Sequence, residues 1–146
     1  MRRLGVLALL AVVAGAPSGA VAEEAGPAIA VIVGRASFIT DLSIDDLREL
    51  YLRRRRVWPN GERVIPVNLP PDNPLRERFS RRVLGRSTQD LLPYWNARYF
   101  EGITPPTVLP SAAAVRAYVA AEPAAIGYVP MAEVDETSRT LLVLGR

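Results

Sequence analysis

Hydrophobic and polar positions follow two rhythms along this chain, and each change of rhythm marks out an element. Ala28 to Val33 is a nearly continuous apolar run ended by Gly34, the pattern of a central strand covered on both faces. Ile44, Leu47, Leu50 and Tyr51 then share one face at helical spacing. Ser43 and Asp46 precede them with the spacing of a capping box, Asp replacing the usual Glu. Trp58-Pro59-Asn60-Gly61 predicts a turn, because Pro presets φ while Asn and Gly tolerate a tight corner. The turn delivers the chain into Val64, Ile65 and Val67, a β-branched strand. Pro66 cannot donate to a ladder, so this strand is predicted at an edge or with a position whose N–H would face outward.

Leu75, Phe79 and Val83 recur every four residues, which predicts a helix with Asp72 or Asn73 as its cap, Pro74 at its first position and Gly85 as its stop. Ser87 or Asp90 opens a further helix with Leu92, Trp95 and Tyr99 on one face, and Pro93 favours the later start. The aromatic set Tyr94, Trp95, Tyr99 and Phe100 is read as core and helix packing. Thr107 to Leu109 is a short strand. Ser111 caps a helix bearing Val115, Tyr118 and Val119, and Glu122-Pro123 ends it. Ala125 to Val129 and Thr140 to Leu144 are two more strands, the last with antiparallel character. Strands alternating with helices at this spacing predict a two-layer or three-layer α/β domain with a mostly parallel sheet.

Before these elements the chain reads Met1-Arg2-Arg3, an apolar run from Leu4 to Ala16, Pro17-Ser18-Gly19 and then Ala20-Val21-Ala22. This is the layout of a secretory signal peptide. The thirteen apolar residues fall short of the ~20 that span a bilayer as a helix. Cleavage is expected after Ala22, with Ala14-Gly15-Ala16 as a second site. An exported product, periplasmic or extracellular, would begin with a flexible lead-in at residues 23–27 and form one domain over residues 28–146. Loss of Arg2 and Arg3 takes the formal net charge from +3 to +1, which removes the general argument for nucleic-acid binding. No membrane span is expected after cleavage.

The chain has no Cys, no His and no Lys, and all 18 basic residues are Arg. Disulfides, Ser-His, Cys-His and Ser-Lys nucleophile systems, Schiff-base chemistry and imidazole or thiolate metal sites are excluded on composition alone. Asp45 and Asp46 point about 100° apart on a helix and do not face each other as an acid/base pair. The chain is therefore read as a non-enzyme with no cofactor and no metal. Two places could bind. At the strand-to-helix junction Arg63 to Phe79, an anion could meet the side-chain amides of Asn68 and Asn73, the backbone N–H groups of Leu75 and Arg76, and the Arg76 guanidinium. The run Arg53-Arg54-Arg55-Arg56 at a helix C-terminus could meet an acidic protein partner.

Three stretches resemble the phosphate-type substrate-binding proteins of ABC transporters. Leu42 to Leu52, followed by Arg-rich residues and Trp58-Pro59-Asn60-Gly61, is similar to that family's helix, basic stretch and Trp turn. Val64-Ile65-Pro66-Val67 with Phe79 beyond it resembles the strand and helix that carry the ligand loop. Pro123-Ala124-Ala125-Ile126-Gly127-Tyr128-Val129 resembles a late segment of the same domain. The resemblance implies a single periplasmic-binding-protein-like lobe with about five strands flanked by helices. It also implies a solute-binding function with an oxyanion ligand and a transporter or other envelope partner. Phosphate-binding members carry an Arg after the strand and a Ser-Gly-Thr run opening the helix. Here the loop is Asn68-Leu69-Pro70-Pro71-Asp72-Asn73-Pro74-Leu75, without that Arg, without a hydroxyl, and with an added carboxylate. Weak oxyanion binding is therefore expected, with docking of an envelope protein as the alternative role.

Overall fold

The chain adopts five strands and four α-helices in a computed structural model that describes residues 26–145. The expected leader and most of the lead-in lie outside the described residues. Strand β1 (Ile29–Gly34) is followed by α1 (Ile44–Tyr51), β2 (Ile65–Asn68), α2 (Pro74–Phe79) and a π-helical turn, Ser80–Leu84, that continues α2. Next come α3 (Leu92–Phe100), β3 (Thr107–Val108), α4 (Ala112–Ala121), β4 (Ala125–Pro130), a short 3-10 turn and β5 (Ser138–Leu144). No helix among the described residues is long and apolar enough to cross a membrane.

The strands form one mixed sheet in the order β3-β2-β4-β1-β5. β2 pairs in parallel with β3 and β4, while β1 runs antiparallel to both β4 and β5. The sheet therefore has one common direction with β1 reversed inside it, and the expected antiparallel pairing of the last strand is present. Every residue of β1 is buried, as its unbroken apolar run requires.

Two faces of the sheet are covered, which resolves the layering as three. Gly127 of β4 faces α4: a Cβ there would stand 2.5 Å from Val115 Cγ1 and 2.9 Å from Val67 Cγ2. Tyr128, one residue on, points to the opposite face. It stacks on Phe79 of α2 at 3.8 Å between ring centroids, with Tyr51 of α1 beside both rings. Gly34 likewise lets β1 approach the Val119 carbonyl of α4 more closely than any side chain would permit.

The helix signals are realised locally. Ser43 accepts from Asp46 N at 3.0 Å and Asp46 accepts from Ser43 N at 3.1 Å, completing the capping box. Asn73, rather than Asp72, caps α2 by accepting from Leu75 N at 2.9 Å, and Pro74 takes the first helical position. Gly85 ends the π-helical turn at φ 71°. Trp58 is buried and donates from Nε1 to Ala124 O at 2.9 Å.

One expectation is met in its second form and one changes. β2 is interior, and Pro66 fits there because β3 begins only opposite Val67. Ile65 donates toward β4, to Ala124 O, so the Pro66 nitrogen faces the side that β3 has not yet covered. The aromatic residues of α3 do not form core packing: no residue of α3 is buried, and Phe100 is 89% exposed. α3 is held instead by polar contacts, with the Tyr94 hydroxyl donating to Leu52 O at 2.6 Å and Arg98 donating to Arg53 O at 3.2 Å. Amphipathic spacing alone does not distinguish a helix docked by its apolar face from one docked by its polar tips.

Candidate functional site

Two donors of the loop between β2 and α2 are engaged within it. Leu75 N–H serves the Asn73 cap, so Asn73 and Leu75 pair with each other. The Arg76 guanidinium folds back over the loop and donates from Nη1 to Leu69 O at 2.8 Å. Asn68 is buried, and its Oδ1 accepts from the Tyr128 hydroxyl and from Leu69 N. Of the four anticipated contacts, Asn68 and Arg76 are brought together at one cavity, while Asn73 and Leu75 lie outside its lining. That cavity measures about 20 Å³, room for about one water molecule and not for a tetrahedral anion with four oxygens.

Beneath the loop lies an aromatic floor that composition could not reveal. Tyr51 donates to Val67 O at 2.8 Å, and its ring lies 4.7 Å from that of Phe79. Burial, then the neighbouring Tyr128 phenol, holds the Tyr51 phenol well above its ordinary pKa. Burial does the same to Tyr128. Both remain neutral hydrogen-bond donors rather than bases. Burial also lowers the pKa of the Arg76 guanidinium, with Tyr128 opposing the shift.

The arginine run sits at the other end of β2. α1 closes with Leu52 as its C-cap, Arg53 N donating to Leu50 O at 3.1 Å and Arg54 N to Glu49 O at 3.0 Å. This is a Schellman motif, and Arg53 occupies its left-handed position at φ 58°, where Gly is usual. Arg54 pairs with Glu49 at 3.2 Å and Arg55 with Asp46 at 2.7 Å. Arg53 donates to Val64 O at 3.3 Å, and its pKa is lowered by burial and by the like charge of Arg56.

All four arginines line an open groove of about 930 Å³ with Arg63. The sequence reading missed Arg63. It reaches the groove through a small hairpin, with Val57 bridged to Arg63 and Val64 N donating to Arg56 O at 3.0 Å. The Trp-Pro-Asn-Gly turn was the available signal, since a turn of that kind returns the chain beside itself.

The described fold aligns with parts of solved receptors. The chain aligns with an ABC-type phosphate transport receptor from Vibrio cholerae at TM-score 0.64 and 17% identity, over 79% of this chain and 45% of the receptor. The fold is that of a phosphate-receptor lobe. A phosphate ABC transporter substrate-binding protein of Clostridium perfringens, solved with bound phosphate, gives the same TM-score of 0.64 and 17% identity, with 79% and 45% of the two chains covered. PstS from Borrelia burgdorferi aligns at TM-score 0.55 and 14% identity, over 72% of this chain and 41% of that one. The chain thus spans less than half the length of the receptors whose lobe it shares. No family model and no curated protein sequence matches it.

Proposed function

We propose that this chain is an exported, single-lobe binding module of the phosphate-receptor type whose anion loop has degenerated, so that it holds oxyanions only weakly. The receptor fold and the phosphate bound by one neighbour support an oxyanion as the ligand class. The observation that carries the weakness is that Arg76 Nη1 is committed to Leu69 O and Leu75 N to Asn73 Oδ1, while the cavity that Arg76 and Asn68 line holds only about 20 Å³. An incoming dianion would have to break these bonds and accept Asp72 nearby in sequence. Thermal unfolding of the mature chain in phosphate and in sulfate tests the reading. A ligand at ~100 times its dissociation constant adds about 2.7 kcal/mol to stability, so no shift is expected at 1 mM phosphate (~1 mM being the weak-binding range). A clear rise at micromolar phosphate would contradict it.

A second reading, docking of an envelope protein through Arg53, Arg54, Arg55 and Arg56, is favoured by one observation. These residues line the groove at the other end of β2, which unlike the loop has room for a partner. No catalytic role is assigned, consistent with the absence of His, Cys and Lys.

A further inference from the structure

We infer that the arginine groove is a docking site for an extended acidic peptide segment of a partner protein, gripped by Arg53, Arg56 and Arg63. The inference rests on the second reading above and names the chemistry of its partner. Five arginines line the groove, and no Asp or Glu does. Arg54 and Arg55 are neutralised by Glu49 and Asp46. The guanidinium groups of Arg56 and Arg63 make no hydrogen bond or ion pair with any described residue. Arg53 Nε is buried and has no hydrogen-bond partner among the described residues. Three cations are therefore left to be matched from outside, and the planar guanidinium fork suits carboxylates in particular.

The scaffold holds these cations in place. Arg56 and Arg63 stand on two strands of the hairpin whose turn is anchored by the buried Trp58, through Nε1 to Ala124 O at 2.9 Å. Arg53 keeps a left-handed φ of 58° although Gly would adopt it without steric cost. Arg98, itself paired with Glu101 at 2.7 Å, donates to the Arg53 carbonyl at 3.2 Å and fixes that conformation. A strained position filled by a long charged side chain points to a need for the side chain.

The shape selects among anionic partners. No aromatic ring lines the groove, so it offers no stacking platform for the bases of a single strand. Thr104 and Thr107 also line the groove, and Thr107 opens β3, which pairs on one side only, with β2. An extended segment laid along that edge can meet backbone groups and arginines together.

The test is a titration of fluorescein-labelled octaglutamate into the full mature chain, read by anisotropy at low and high salt. We expect a micromolar dissociation constant at low salt that weakens as salt rises. R56A/R63A should weaken it by about tenfold or more, the loss of one or two charge-assisted bonds. Arg53→Gly relieves the backbone, so it should keep or raise Tm while weakening the peptide several-fold, a split that a purely structural arginine would not give. Octathymidylate and phosphatidylglycerol vesicles should bind about tenfold more weakly than the peptide. Absence of peptide binding, insensitivity to R56A/R63A, or tighter binding of the oligonucleotide or the vesicles would overturn the inference. A photo-crosslinker at position 54 in the native host separates the two levels. An adduct that octaglutamate does not compete away overturns the acidic-peptide inference alone, and loss of both adduct and peptide binding overturns the docking reading with it.

Discussion

The two ends of β2 make opposite use of the same side chain. At its C-terminal end Arg76 is drawn back over the loop to a backbone carbonyl, Asn68 is tied to Tyr128, and about 20 Å³ of space remains. At its N-terminal end the Arg56 and Arg63 guanidinium groups make no hydrogen bond or ion pair with any described residue, and both residues line an open groove of about 930 Å³. Likeness of fold directs attention to the first place, because that is where the resemblance locates the ligand loop. The second is where charge is left unmatched. Similarity of fold thus directs attention to a place, and what that place can bind depends on which of its donors are already satisfied.

The comparison can be broken most severely at Trp58, which anchors the hairpin carrying Arg56 and Arg63. Trp58→Ala should cost about 3 to 5 kcal/mol, the range for truncating a buried large aromatic, read by urea unfolding. A variant as stable as the parent would mean that the groove wall does not depend on this anchor. At the other end, Tyr128→Phe removes the hydroxyl that donates to Asn68 Oδ1. Asn68 Oδ1 keeps its bond from Leu69 N, so a loss of about 0.5 to 1.5 kcal/mol is expected, the net value of one hydrogen bond, and an unchanged midpoint would show that water replaces the bond freely.

A comparable effect comes from Asp46, which both caps α1 and neutralises Arg55. The Ser43 hydroxyl, then Arg55, then the Ser43 N–H hold its pKa down at about 2, from an ordinary 3.8. A pKa depressed in the folded state gives stability that is present above the ordinary value and lost as pH falls from about 4 toward about 2. Ser43→Ala should cost about 1 kcal/mol at neutral pH and make that acid loss shallower. An acid profile identical to the parent's would contradict the role given to the capping box. The smallest change, and the only one of opposite sign, is Arg53→Gly, expected to leave stability unchanged or raise it by less than about 1 kcal/mol. A destabilisation well beyond that would show that the arginine's packing outweighs its strain.

What the sequence made legible divides along locality. Ser43, Asn73 and Ser111 are capping candidates readable from neighbours within three positions, and each accepts a backbone N–H in the first turn of its helix, Asn73 rather than the alternative Asp72. The burial of Leu47, Leu50, Val115 and Val119 followed from period alone. The aromatic floor and the groove did not. Tyr51 and Tyr128 meet across 77 positions, and Arg63 joins Arg56 only because a hairpin folds between them. α3 misled for a further reason. Its aromatic spacing is that of a buried face, yet its attachments run through the Tyr94 hydroxyl and the Arg98 guanidinium, and Phe100 is left in solvent.

Calorimetric titration of phosphate into the protein and its Arg76→Ala variant tests the central claim most directly. Each charge-assisted bond contributes about 1.5 to 3 kcal/mol, and a loop that has already committed Arg76 Nη1 and the Leu75 N–H has fewer of them to supply. The expected result is a dissociation constant in the millimolar range or no measurable heat, about −4 kcal/mol at best, with Arg76→Ala indistinguishable from the parent. A micromolar constant abolished by Arg76→Ala would contradict the account and assign this lobe to phosphate capture.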